Sequence, residues 1–267
     1  MRNLPNLRKK IKNKKYDLIH AHYGLSGMLS VLQRRVPVVI TFHGSDIWNP
    51  FIGIISLVSS YLSAWNFFIS ENLMKQGIGF RKRKSSIIPC GVTLNIFFPV
   101  ERQEARNVMR LKGEEKLILF SGSFDNKIKN YTIAKKAIQR LDGIKLIELK
   151  GYSRKQVNYL MNACDVLLVT SYKESGPLVV KEALACNLPI VSTNVGDVEE
   201  VIGVTKGCYL AKYNPIDVAE KIKMALDFRK KTTSREKAKK YEINSIAERI
   251  KVIYCKVLHI ENSTKEG

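Results

Sequence analysis

Paired cysteines are missing from this chain. Its five Cys residues (Cys90, Cys164, Cys186, Cys208 and Cys255) are odd in number, widely spaced and form no C-x-x-C pair. That pattern excludes a disulfide framework and a structural zinc site, and it points to a reducing compartment. A signal peptide is not expected either, because the opening MRNLPNLRKK is basic but leads into no apolar segment. Internal repeats and low-complexity tracts are absent. Acidic residues are few: 24 Asp and Glu stand against 45 Lys and Arg, a formal net charge of +21.

This imbalance points to an anionic partner: nucleic acid, an anionic membrane surface or phosphorylated small molecules. Residues 1–100 hold 14 Lys or Arg and three acidic residues (Asp17, Asp46, Glu71), whereas residues 101–267 hold 31 against 21. The dense clusters are 8–15 and 81–84. A Lys-, Ile- and Asn-rich composition would by itself place lysines on a solvated surface, so charge alone does not choose a partner. No nucleic-acid-binding motif accompanies it, and a nucleic-acid role is not expected. With 45% hydrophobic and 26% charged residues, the 267-residue chain has apolar material for one large or two ordinary domains, which excludes intrinsic disorder.

One stretch, Ile47 to Ser70, runs 24 residues without a charge. Crossing a bilayer takes about 20 residues. Asn49, Pro50, Ser56, Ser59, Ser60, Ser63 and Asn66 interrupt it, however, and its last part, AWNFFIS, reads as a short buried strand. A helix followed by a strand inside a soluble core is the expected arrangement.

Strand-like runs at 16–22, 36–42, 64–70 and 85–90 alternate with helical segments such as 24–34 and 50–63. After a charged stretch at 100–115 the rhythm restarts. Strands at 117–123, 144–149, 165–171 and 188–193 alternate with helices near 131–141, 154–164, 177–186 and 215–228. Near-continuous apolar strands separated by helices imply parallel sheets covered on both faces. Two Rossmann-like domains follow, residues 1–100 and 101–241, then a closing segment 242–267. In that segment Ile243, Ile246, Ile250, Ile253 and Val257 fall at helical spacing, an amphipathic helix with no strand after it.

The window 171–200, SYKESGPLVVKEALACNLPIVSTNVGDVEE, carries most of the chemistry. A strand ends at Ser171, a loop holds Glu174, and Ser175-Gly176-Pro177 opens a helix containing Glu182. Open α/β sheets bind ligands at the carboxyl ends of their strands, and a helix starting there offers backbone N–H groups to a diphosphate. Pro177 suits a first turn, where a missing N–H costs nothing. Glu174 stands at the mouth of this site. Glu182 lies farther down the helix, where a carboxylate can accept a bidentate bond from a ribose diol. His20 and His22 share a strand face, but no carboxylate or Cys partner is evident, so no metal is expected.

Glu174 and Glu182 form an E-x7-E pair followed by ALACNLPIVSTNVGDVEEVI, and this block resembles the retaining GT-B glycosyltransferases of the family-4 type (glycosyl transferases group 1). DLIHAHYG (17–24), PVVITFHGSDIW (37–48), IIPCGVTLNIFFP (87–99) and LMNACDVLLVTS (160–171) resemble further segments of that family in the same order. The resemblance implies a hexosyltransferase-type enzyme with two Rossmann-like domains and a C-terminal helix crossing back to the first. It implies a nucleotide-sugar donor and a glycan or lipid-linked acceptor, in surface polysaccharide or lipopolysaccharide synthesis. Glu174 would meet the transferred sugar and Glu182 the ribose. Backbone amides near Ser175, Gly176, Pro177 and Leu178 would bind the diphosphate. Gly122 would approach the phosphates, Lys129 would neutralise the leaving diphosphate, and His43 would stand beside the sugar–acceptor junction. Catalysis would be mainly electrostatic, without metal or cofactor. The protein would be cytoplasmic, peripheral on the inner face of an anionic membrane.

Three features depart from the family pattern. Gly122 is followed by Ser123 where an arginine is usual, so a second cation is missing or comes from elsewhere, with Lys127 a candidate. The Glu-Gly order is interrupted as Glu174-Ser175-Gly176. Finally, only 15 residues precede the YDLIHAH strand, so the first domain is expected to be incomplete. Truncation, a split enzyme with its missing half on another chain, and a degenerate copy are the three explanations. An alternative to catalysis is therefore an inactive or split-enzyme nucleotide-binding module docking a partner protein.

Overall fold

A computed structural model describes residues 3–228 and 231–260. The chain divides into two compact units, one of residues 1–89 with 244–267 and one of residues 90–243. Each is built on one parallel sheet, the α/β class that the strand and helix alternation predicts.

In the first unit, strands β1 (Ile19–His22), β2 (Val38–Phe42), β3 (Trp65–Phe68) and β4 (Ser85–Ile87) lie side by side in that order. The register sets Ile19 opposite Val38, Val39 opposite Trp65 and Asn66 opposite Ser85. Every residue of β2 is buried, as a parallel strand covered on both faces must be. On one face Val39, Phe67 and Ile88 pack with Ile246, Ile250, Ile253 and Tyr254 of the Ile243–Leu258 helix. On the other, Phe42, Phe68 and Phe80 cluster with ring centroids 5.2 to 6.0 Å apart. The Gly24–Val31 helix lies so close to Ile40 that a Cβ on Gly27 would fall 2.7 Å from Ile40 Cδ1.

The uncharged stretch contributes the Ser45–Trp48 and Pro50–Leu62 helices and β3. No helix among the described residues is long and apolar enough to cross a membrane. The Pro50–Leu62 helix is nevertheless not the core helix expected of it. It buries Ser56, Ser59 and Ser60 and leaves Phe51, Ile54, Val58, Tyr61 and Leu62 exposed. Its seam with the neighbouring helix is the reason. A Cβ on Gly24 would lie 1.7 Å from Ser56 Oγ, so only small side chains fit between the two.

In the second unit, β5 (Lys116–Phe120), β6 (Ile144–Glu148), β7 (Val166–Val169), β8 (Ile190–Thr193) and β9 (Cys208–Ala211) are parallel in the order β6-β5-β7-β8-β9. Leu117, Leu119, Leu167 and Val169 face one apolar cluster, and Ile118, Phe120, Val166 and Leu168 the other, as strict alternation requires. β9 has no counterpart among the strands read from the sequence. It is only four residues long, and two of them, Tyr209 and Leu210, are partly exposed.

Residues 90–100, grouped with the first domain in the sequence reading, cluster instead with this unit. The Val92 N–H donates to the Tyr241 carbonyl at 2.7 Å, and Phe97 is fully buried in the second unit's core. Arg235 donates to the Phe97 and Leu94 carbonyls at 2.6 and 3.0 Å.

Candidate functional site

The loops leaving the carboxyl ends of β5, β7 and β8 converge in the second unit. The 3-10 turn Lys127–Lys129 is tied to the end of β7 at two points. The Thr170 hydroxyl donates to the Lys129 and Asn130 carbonyls at 3.0 and 3.1 Å, and the Tyr172 N–H donates to the Ile128 carbonyl at 2.9 Å. Asn130 takes the left-handed conformation that turns the chain into the Tyr131–Ile138 helix (φ 55°). The Lys129 stem then crosses Gly122, where an added Cβ would sit 2.8 Å from Lys129 Cγ. Its ammonium donates to Glu174 Oε1 at 2.7 Å, and the Ser171 hydroxyl donates to the same oxygen at 2.9 Å. Gly122 and Lys129, separated from Glu174 by 45 or more residues, thus share one sheet edge with it. Lys127 is exposed, and the lysine facing Glu174 is Lys129.

Ser123, at the expected arginine position, hydrogen-bonds Glu148 at 2.8 Å and also Asp125. Lys150 also reaches this loop, its ammonium donating to Asp125 at 2.9 Å. Hydrogen bonds from Ser123 and Lys150 hold the Asp125 carboxyl below its ordinary range.

Beyond Glu174, Ser175 and Gly176 lead to the Leu178–Ala185 helix, whose N-cap position is Pro177 with no side-chain cap. The loop after β8 packs directly on this turn. Gly196 has φ 60°, and a Cβ there would lie 2.9 Å from Gly176 N. Beneath it, the Lys181 ammonium donates to Asp197 Oδ2 at 2.6 Å with both side chains sealed from solvent. Burial pushes the Asp197 carboxyl up from its ordinary range, against the pull of Lys181. Asp197 Oδ1 is buried without a hydrogen-bond partner, and Asp197 Oδ2 would be 3.3 Å from a Cβ on Gly176.

Glu182 is more enclosed than a solvated helix residue, at 6% exposure. Burial raises its carboxyl above the ordinary range, with Arg154 opposing the shift. Arg154, at the start of the helix after β6, approaches Glu182 Oε1 at 3.1 Å and lies over the Phe97 ring at 4.9 Å. Arg154, Lys150, Lys181 and Asp197 were not singled out by the sequence reading. Arg154 and Lys150 follow β6 at the same edge, which is a usable signal; Lys181 carried one too, as a charge inside the apolar run PLVVKEALA.

In the first unit, His43 follows β2 and belongs to a chain of imidazoles. His22 Nδ1 lies 3.0 Å from His43 Nε2, and the His20 and His22 rings stack at 4.5 Å. His20 Nε2 meets Thr41 Oγ1 at 2.6 Å, and its Nδ1 hydrogen-bonds the Tyr254 hydroxyl. Burial, with His22 and His43 adding, pulls His20 down to about 4; burial and His22 also lower His43. The turn is held by Asp46, a buried carboxylate that accepts the N–H groups of Gly24, His43 and Gly44 at 3.1, 3.0 and 2.7 Å. Among the described residues no group of three or more His, Cys, Asp or Glu is placed to hold a metal ion.

The chain resembles known proteins in both of its units. Residues 1–96 match the family model for glycosyltransferase family 4, and residues 143–245 that for glycosyl transferases group 1. D-inositol 3-phosphate glycosyltransferase of Mycobacterium marinum is 27% identical over 68% of this chain and 49% of its own length. TuaC of Bacillus subtilis, named for teichuronic acid biosynthesis, is 27% identical over 70% of this chain and 55% of its own length. The chain spans about half the length of the curated relatives it matches. Among solved structures, sucrose-phosphate synthase of Thermosynechococcus elongatus superposes with a TM-score of 0.82 at 18% identity, covering 96% of this chain and 77% of that one. HepE of Anabaena, in complex with UDP, gives 0.79 at 16% identity over 93% and 80%. Residues 1–96 are thus similar to a family-4 segment and residues 143–245 to a group-1 segment, and the two parallel α/β sheets share the fold of these solved structures.

Proposed function

We infer that the protein transfers a hexosyl group from a nucleotide-sugar donor, with retention, to a glycan or lipid-linked acceptor in surface polysaccharide or lipopolysaccharide synthesis. The observation that carries this reading is the Lys129–Glu174 pair, braced across Gly122 beside the start of the Leu178–Ala185 helix. As the bond from the sugar C1 to the phosphate oxygen breaks, negative charge collects on the leaving diphosphate. The Lys129 ammonium and the amides near Ser175–Leu178 stabilise that charge. Glu174, released when the diphosphate draws Lys129 away, accepts hydroxyls of the transferred sugar. Glu182 meets the ribose diol, sharing it with the half-exposed Arg154. His43 lines the sugar–acceptor junction. Neither metal nor cofactor is part of this reading, and the protein works at the inner face of a membrane.

A related structure binds UDP-glucose, which supports the donor class. Titration calorimetry with UDP and UDP-sugars, followed by transfer assays, tests the proposal. Expected is binding that Lys129→Met weakens. A chain that gives no heat with any nucleoside diphosphate or its sugar overturns the reading, and binding without transfer to any acceptor leaves only the nucleotide-binding module.

A further inference from the structure

The Pro50–Leu62 helix faces the wrong way for a helix whose only surroundings are protein and water. Its serines point inward, and the Ser59 and C-cap Ser63 hydroxyls donate to the Ser56 and Ser60 carbonyls at 2.8 and 3.0 Å. Outward stand Phe51 (74% exposed), Ile54 (64%), Val58, Tyr61 (56%) and Leu62. Their three- and four-residue spacing puts them on one face of a rod about 20 Å long. An aligned apolar face of this kind marks an interaction surface, because water disfavours it and nothing in the core requires it.

What lies at its end identifies the occupant. The Tyr61 hydroxyl donates to the Gly79 carbonyl at 2.9 Å, and the Arg81 guanidinium donates to the Tyr61 carbonyl at 3.0 Å. These bonds hold the 78–84 segment against the helix terminus, where Lys82, Arg83 and Lys84 are exposed beside Ile78 (85%). Acid is nearly absent from this stretch of the chain. Between residues 47 and 100 the one acidic residue is Glu71, which pairs with Lys75 at 2.8 Å.

We propose that the Pro50–Leu62 helix, with the basic 82–84 turn, is the face by which this protein lies on an anionic lipid bilayer. The helix rests in the interface plane with Phe51, Ile54, Val58 and Leu62 among the acyl chains. Tyr61 sits at headgroup level, and Lys82, Arg83 and Lys84 meet the lipid phosphates. A second protein copy would supply apolar surface but no reason for three adjoining cations free of acid. The proposal rests on the membrane-face location included in the proposed function, yet its test needs neither donor nor acceptor.

Co-sedimentation of the whole chain with vesicles of phosphatidylcholine and phosphatidylglycerol, against phosphatidylcholine alone, is the measurement. Expected is binding to the acidic vesicles that weakens with salt. The double variant Phe51→Glu, Ile54→Glu should bind at least about tenfold more weakly. The triple variant Lys82→Ser, Arg83→Ser, Lys84→Ser should lose the salt-dependent part. Phe51→Ser alone, the mildest change, should give an intermediate loss with an unaltered unfolding temperature. The proposal is overturned if the native chain ignores acidic vesicles, or if the double variant binds as well as the native chain. It is equally overturned if light scattering shows a dimer that the double variant dissolves while no vesicle binding occurs. UDP calorimetry on the same variants reports on the donor reading separately, and is expected to be unchanged.

Discussion

Lys129 and Glu174 hold each other at 2.7 Å across the carboxyl edge of the second unit's sheet, and each keeps about a fifth of its side chain in contact with solvent (20% and 18%). The pair is therefore anchored but exchangeable. A diphosphate arriving at this edge competes with Glu174 for the ammonium. Glu174→Gln is then expected to lower sugar transfer at least about tenfold while UDP affinity holds or rises, since the lysine is already free. Lys129→Met should lower transfer about 10²–10³-fold and weaken UDP as well. Transfer kinetics and calorimetry on the two variants check this. A fall in UDP affinity for Glu174→Gln would assign the carboxylate to the nucleotide rather than the sugar.

Gly122 is the floor under that lysine. A methyl group there meets the Lys129 stem at 2.8 to 3.1 Å and must push it aside. Gly122→Ala should therefore cost about tenfold in transfer and leave the unfolding midpoint nearly unchanged, because the displaced group is a side chain rather than backbone. Steady-state kinetics beside a denaturation curve would separate the two. A large loss of stability with normal transfer by the folded fraction would contradict it.

The Lys181–Asp197 pair is sealed at 0% and 4% side-chain exposure. Removing one partner leaves a charge in the core, so Lys181→Met should destabilise the fold by about 3–5 kcal/mol. Adding Asp197→Asn to that variant should recover part of the loss, because the stranded charge is gone. Urea unfolding of the single and double variants measures the coupling. If Lys181→Met costs under about 1 kcal/mol, the pair is not the buried charge pair described.

His20 gives the fold a pH dependence of known sign. Its folded value of about 4 lies below the ordinary 6.5, so the unfolded chain binds more protons between those values. Stability from this group is complete above 6.5 and is lost as pH falls toward 4. The imidazole retains some solvent, which screens the effect to the order of 1–2 kcal/mol. Chemical denaturation at stepped pH should show this slope, and His20→Gln should flatten it.

Much of this is legible in the sequence. Apolar runs such as PVVITF and LILF become the central strands because a parallel strand buried on both faces needs unbroken apolar residues. The strand–loop–helix order was enough to place Glu174 at the carboxyl edge, since every loop that leaves a parallel strand emerges on the same side, whereas Gly122 and Lys129 were picked out through the family resemblance. β9 escaped: it is an edge strand with Tyr209 and Leu210 partly exposed, outside the fully covered centre of the sheet.

The sequence by itself determined the α/β alternation, the carboxyl-edge position of the E-x7-E block and the excess of positive charge in the first hundred residues. Only the tertiary structure decided who pairs with whom. Arg154 meets Glu182, Tyr254 meets His20 across 234 residues, and Lys181 finds Asp197 in the core. It also decided that the Pro50–Leu62 helix turns its serines inward and its apolar side chains out. Periodicity shows that a helix has two faces, but which face is buried depends on the neighbour it meets. Here that neighbour is the Gly24–Val31 helix, which comes too close at Gly24 to admit anything larger than Ser56.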